Sequence, residues 1–191
     1  TEIYTLSLHD ALPISGKSVI THYLMTNEVD LNLKPTLAFQ QKMLLLPKLK
    51  INLWDTPGQI KFRKLWYKNV ADSKVLVFIL DTSDSNRFQE AKTELDDFIK
   101  GCYNLRAPLL FCFHQMDKPE AQTNLEKAKA FFDLGNIHIQ KVHSMETQIK
   151  DTTTLNALRE KIEALLIERQ LQDEQIDRER AQKAEELKKN K

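Results

Sequence analysis

The sequence reads as an α/β domain with a mostly parallel sheet, and three observations carry that reading. Two runs, 75–80 and 108–113, are continuously apolar, as strands covered on both faces are. They alternate with stretches whose apolar residues recur at helical spacing, 86–100, 120–132 and 151–167. Acidic residues then stand where apolar strands stop: Asp55 after 51–54, Asp81 after 75–80 and Asp117 beyond 108–113. The carboxyl ends of parallel strands are where such a sheet places a ligand.

The elements follow in order. Residues 3–8 read as a first strand, although Thr5 and Ser7 weaken the apolar pattern a central parallel strand calls for. Ser15-Gly16-Lys17-Ser18 supplies the second half of a GxxxxGK[ST] phosphate loop, and 17–25 continues as a short helix with Ile20 and Leu24 inward. The first half of that loop departs from the pattern. Ala11 stands where the first Gly belongs, and Pro13 removes a backbone donor. The chain begins at Thr1 rather than Met, and residues 1–14 read as an atypical segment, a fusion or assembly scar; a natural chain with a degenerate loop is the alternative.

Residues 26–33 are polar and extended, and 39–46 with 49–54 form a hairpin turning at Pro47-Lys48. After Asp55 the chain breaks at Pro57-Gly58. Next, 61–71 reads as a basic, aromatic helix with Phe62, Arg63, Leu65, Trp66 and Tyr67; either Leu65 and Trp66 enter the core, or the exposed aromatics belong to a partner-binding surface. The helix over 86–100 turns Phe88, Ala91, Leu95, Phe98 and Ile99 inward and closes at Gly101. In 120–132 the inward set is Ala121, Leu125, Ala128, Phe131 and Phe132. Residues 137–142 alternate and read as the last strand. The final core helix, 151–167, carries Leu155, Leu158, Ile162, Leu165 and Leu166 on one stripe.

Residues 168–191 form a separate charged tail with seven acidic and seven basic residues. Pairs such as Glu174–Arg178 and Glu179–Lys183 support a solvated helix, while Leu171, Ile176 and Leu187 miss heptad spacing. Loss of 171–191 is therefore expected to change stability little.

Composition narrows the classes. A 41% hydrophobic content suits one well-buried domain, 15–167, and a net charge of +1 gives no ground for a nucleic-acid partner. No apolar run approaches the roughly 20 residues of a spanning helix. With no secretory pattern, no C-terminal Cys for prenylation and no Met-Gly start, a cytoplasmic location is expected. Peripheral membrane association stays open, without support from this N-terminus. Cys102 and Cys112 read as buried, reduced thiols.

The chemistry lies in the strand-end loops. Lys17 has the reach for β- and γ-phosphates and Ser18 for Mg²⁺; Asp55 is a carboxylate for the metal, and Gly58 lets its amide approach a terminal phosphate. Gln59 has both donor and acceptor and can orient a water. Asp117 can accept two hydrogen bonds from guanine's N1–H and amine, a donor pair adenine lacks.

In their order, Ser15-Gly16-Lys17-Ser18, Pro35-Thr36, Asp55-Thr56-Pro57-Gly58-Gln59 and His114-Gln115-Met116-Asp117 resemble the small GTPases, colinearly from about residue 15 to 166. Lys34 to Phe39, Trp54-Asp55 through Leu65-Trp66, and the compact interval from Thr36 to Asp55 look most like the Arf/Arl branch. His114-x-Met116-Asp117 and Thr147-Gln148-Ile149-x-Asp151 look more like the Rag GTPases.

The resemblance implies a P-loop G domain with a six-stranded sheet and helices on both faces. It further implies a GTP/GDP-binding switch with slow Mg²⁺-dependent hydrolysis, served by an exchange factor, an activating protein and effectors. Thr36 would be the switch I metal ligand, Gln59 and Lys17 would act in catalysis, and the Thr147-Gln148 loop would offer an amide to guanine O6. Ser144-Met145 is a competing alignment for that loop. His114 stands where Asn is usual and would brace the base loop, while Gln115 forfeits the Lys stem that packs on the base. A non-hydrolysing scaffold with a damaged phosphate loop is the rival reading, and residues 9–14 discriminate.

Overall fold

The computed structural model describes residues 3–10, 16–34, 40–46, 49–55, 73–101, 106–137, 139 and 141–189. Strands β1 (Ile3–Asp10), β2 (Gln40–Leu45), β3 (Lys50–Asp55), β4 (Val75–Asp81), β5 (Leu109–His114) and β6 (Val142–Glu146) form one sheet. Its order is β2-β3-β1-β4-β5-β6. β2 runs antiparallel to β3, and every other neighbouring pair is parallel. Helices α1 (Lys17–Thr26), α2 (Phe88–Gly101), α3 (Pro119–Phe132) and α4 (Thr152–Lys189) connect or follow the strands. The parallel α/β domain read from the sequence is what the chain forms.

The apolar runs work as expected because both faces of the central strands are covered. In β4, Val75, Val77 and Ile79 join Ile20, Leu24, Leu155, Leu158 and Ile162 in a core under α1 and α4. Leu76, Phe78 and Leu80 face the other way, into a core with Phe88, Leu95, Phe98 and Phe132 from α2 and α3. Each fully buried Val, Leu or Phe contributes about 1.5–3 kcal/mol, so β4 and β5 carry much of the stability. Phe111 stacks on Phe78 with centroids 5.3 Å apart and meets Phe132 at 5.1 Å. Arg159 of α4 ties down the end of α1, donating to the carbonyls of Tyr23 (3.0 Å) and Leu24 (3.2 Å). The Tyr23 carbonyl also accepts from the capping Asn27 amide at 2.9 Å, so Arg159 reinforces a helix terminus that is already capped.

Three expectations need correction. β1 extends to Asp10, beyond the 3–8 read from the sequence, and pairs with both β3 and β4. The last strand is Val142–Glu146, not 137–142: a short 3-10 turn, Leu134–Asn136, intervenes, and Ile137 and Ile139 pack beside the core without pairing. Pairing of Leu109 with Val142 sets this register on an edge strand. Phe131 is 38% exposed while Phe132 is fully buried, because adjacent helical residues point about 100° apart. The charged tail continues the last core helix, α4 running unbroken for 38 residues.

Among the described residues no helix is long and apolar enough to cross a membrane. Cys112 is a buried free thiol whose pKa burial pushes up to about 12, which leaves it protonated and unreactive. Cys102, the Pro47-Lys48 turn and the helix expected over 61–71 lie outside the described residues.

Candidate functional site

The parallel strands β3, β1, β4 and β5 end along one edge of the sheet, and the chemistry collects there. Gly16 precedes α1 with φ +86°, a left-handed conformation that Gly adopts without steric cost. Space makes a second demand: a Cβ at Gly16 would fall 2.8 Å from His114 Nε2. Lys17 follows and is 3% exposed, and its ammonium bonds Asp55 Oδ1 at the end of β3. Asp55 is fully buried, and its other oxygen lies 3.7 Å from Lys42 Nζ of β2. A buried carboxylate is stable only when compensated, and here two cations compensate it. Ser18 stands one position further along α1 and is half-buried.

The second half of the site is the turn after β5. His114 is fully buried, and its Nδ1 lies 2.8 Å from Thr147 Oγ1. Burial lowers the imidazole pKa to about 4, against the opposing pull of Asp81 and Asp117, so the ring is neutral near pH 7. Its Nε2, on the Gly16 side, has no hydrogen-bond partner among the described residues. Gln115 takes φ +65°, uncommon for a residue with a Cβ, and this turns the chain so that Lys118 N–H bonds its carbonyl at 2.9 Å. Asp117 is mostly buried. Its Oδ1 has no partner among the described residues, while Oδ2 lies 3.4 Å from the exposed Lys150 ammonium. A buried carboxylate oxygen without a donor is costly in a folded chain unless a ligand supplies one.

Thr147 is fully buried, and its amide donates to the Phe113 carbonyl at 2.8 Å while its own carbonyl accepts from Met116. The Gln148 amide donates to Thr154 Oγ1 at 3.0 Å. The Thr147 and Gln148 amides of the Thr147-Gln148-Ile149 loop are thus engaged within the protein, and the Thr147 hydroxyl lies against His114. Ser15, Thr36, Gly58 and Gln59 lie outside the described residues. The structure therefore brings Gly16, Lys17, Ser18 and Asp55 together at one end of the site, and His114, Gln115, Asp117, Thr147 and Gln148 at the other. Lys42 went unnoticed in the sequence; its only signal there is a charged residue at an inward position of a hairpin strand.

The residues fit the groups such a site would take. Asp117 offers an unmatched acceptor to a base, Lys17 a cation to phosphate, and Ser18 with Asp55 a hydroxyl and carboxylate to a hard divalent ion.

Comparison with known proteins bears on the family and the fold. The profile of the ADP-ribosylation factor family matches residues 5–169. ADP-ribosylation factor-like protein 1 of Saccharomyces cerevisiae is 32% identical over 115 residues, 60% of this chain and 62% of the yeast protein. ADP-ribosylation factor-like protein 4C of Homo sapiens is 30% identical over 130 residues, 64% of this chain and 67% of the human one. ADP-ribosylation factor-like protein 8d of Arabidopsis thaliana is 24% identical over 144 residues, 75% and 81% of the two chains. The chain thus spans about three fifths of the length of its yeast relative. In three dimensions it matches the Arl6 small GTPase of Trypanosoma brucei, solved with the nucleotide analogue GppNp. The TM-score is 0.76 at 20% identity, over 90% of this chain and 99% of that one, a likeness of fold. Since the family profile runs from the first strand into the last helix, over the loops that build the site, the chain belongs to the ADP-ribosylation factor family of small GTPases.

Proposed function

We propose that this chain is a guanine-nucleotide switch that binds GTP and GDP with Mg²⁺ and hydrolyses GTP slowly. The observation that carries the reading is Asp117 just beyond the end of β5, with one oxygen buried and without a partner among the described residues. An acceptor held there selects a base that presents two adjacent donors, which guanine does and adenine does not. At the other end of the crevice the Lys17 ammonium is positioned by Asp55 and can transfer to phosphate oxygens. Ser18 and Asp55, with Thr36, would hold Mg²⁺, which when bound neutralises phosphate charge. Gln59 would orient the attacking water. No arginine is placed to act on the phosphates among the described site residues, so fast turnover would depend on an activating protein. Exchange factor and effectors would meet the segments around Thr36 and 56–72, as the family's partners do, in the cytoplasm or at a membrane surface.

The experiment is direct. The nucleotide carried through purification is identified by chromatography after denaturation, and fluorescent GDP and GTP are titrated with and without Mg²⁺ against ATP and XTP as competitors. Guanine-selective, Mg²⁺-dependent binding is expected. Absence of guanine-nucleotide binding under all conditions would overturn the switch and leave the scaffold reading.

A further inference from the structure

Strand β2 is patterned the wrong way round. Gln40, Lys42 and Leu44 share a face with Asp55, Leu53 and Ile51, their partners in the ladder, and that face turns toward the core. Leu44 is buried there, yet Lys42 points the same way, while Met43 and Leu45 on the outer face are 44% and 67% exposed. An ordinary edge strand would put its apolar residues inward and its lysine outward. Lys42 gains one thing by facing in: Asp55 lies diagonally across the ladder, two positions beyond Leu53, and the ammonium reaches within 3.7 Å of Oδ2.

We propose that Lys42 is a resident counter-ion of Asp55 that competes with the divalent cation, so that metal uptake requires Lys42 to withdraw. The inference rests on the nucleotide reading above and deepens it. The Asp55 carboxylate faces two ammonium groups, Lys17 at Oδ1 and Lys42 at Oδ2. Lys17 has somewhere else to go when phosphates arrive, because it opens the helix that follows the phosphate loop. Lys42 belongs to a strand of the hairpin; with its side chain 34% exposed, its alternative partner is water. A divalent cation taking Oδ2 would lie within a few ångströms of that ammonium, and like charges so close repel strongly in a partly desolvated crevice. Until Lys42 leaves, the carboxylate is already compensated. The chain should consequently need more Mg²⁺ than an otherwise identical site would, and should hold GDP comparatively well in chelator.

An inward lysine is also a known device against edge-to-edge sheet association. That role predicts aggregation on substitution and no change in metal response, so the two are separable.

Release of fluorescent GDP is followed across a series of free Mg²⁺ concentrations for the wild-type chain, Lys42→Met and Lys42→Gln. Met keeps the stem and removes the charge, and Gln serves should Met cause aggregation. The half-effective Mg²⁺ concentration is expected to fall roughly tenfold in either variant. An unchanged half-effective concentration in a folded variant overturns the proposal. If no version holds guanine nucleotide, the nucleotide reading falls separately. Free Mn²⁺, counted by electron paramagnetic resonance during titration of the same proteins, then decides the role of Lys42. Tighter Mn²⁺ uptake by the variants upholds the competition, and equal uptake overturns it.

Discussion

Asp117 and His114 come from the same turn and are tuned in opposite ways. Asp117 keeps one buried acceptor without a partner among the described residues. Replacing it with Asn turns part of that acceptor into a donor, which suits the C2 oxo group of xanthine. Asp117→Asn is therefore expected to shift competition from GTP toward XTP by at least about tenfold, one good hydrogen-bonded pair. An unaltered ratio would mean that Asp117 does not read the base. His114 is held neutral, with its pKa lowered from 6.5 to about 4 by burial. As pH falls below about 6.5 the unfolded chain takes up a proton that the folded chain refuses, so stability drops through that window toward pH 4. The full effect is on the order of 3 kcal/mol. His114→Asn removes it, so urea midpoints at pH 7 and pH 4.5 should differ less in the variant than in wild type. Parallel losses in the two proteins would show that His114 is not the group responsible.

Among the elements, α4 decides how the chain ends. Its stripe of Leu155, Leu158, Ile162, Leu165 and Leu166 is core, as its spacing indicates. The following turn, however, is not a free tail. Arg169 is 8% exposed and pairs with Asp173 at 2.6 Å, and Asp173 also takes Lys74, just before β4, at 2.7 Å. Arg169 Nε and Nη1 have no partner among the described residues, so its buried charge depends on Asp173. Deleting 171–191 removes that carboxylate and should cost about 1–3 kcal/mol, with Asp173→Ala reproducing most of the loss. Deleting 178–191, a stretch exposed up to residue 188, should stay within about 0.5 kcal/mol. Chemical denaturation of the three proteins distinguishes these cases, and equal stability of both truncations would remove Asp173 from the account.

At the scale of the whole molecule, β1 is the keystone of the sheet. It separates the β2–β3 hairpin from the β4–β5–β6 half and pairs with both neighbours. Removing residues 1–14 leaves two sheet halves with unpaired backbone edges, which is expected to abolish cooperative unfolding measured by circular dichroism. A sharp native transition in that truncation would show β1 to be dispensable. The loop after β1 is a separate matter, since residues 11–15 lie outside the described residues. Its chemistry still bears on function: Pro13 lacks a backbone donor, and a lost hydrogen bond to a charged group costs about 1.5–3 kcal/mol. Rebuilding 11–15 as a Gly-rich phosphate loop should tighten guanine-nucleotide binding roughly tenfold to hundredfold, read by fluorescent GTP titration. Equal affinity of both versions would show the loop as written to be competent.

Much of this was legible before folding. Continuous apolar runs marked β4 and β5, helical spacing marked α2 and α3, and the acids at the strand ends marked Asp55 and Asp117. Such features are local, because burial on one face or two imposes a period on neighbouring residues, and a period can be read along the chain. Other features are not local. The start of β6 was misplaced because 137–142 alternates while Val142-His143-Ser144-Met145-Glu146 does not, and only pairing with Leu109 places the strand. Thr147 serves His114 through its hydroxyl across 33 residues. Lys17 meets Asp55 across 38, and Lys74 meets Asp173 across 99. Lys42 turns inward against its own strand's pattern because a carboxylate waits on the neighbouring strand. A charge is stabilised by whatever lies within a few ångströms of it, and that neighbour is chosen by the closing of the sheet, not by the residues beside it in the chain.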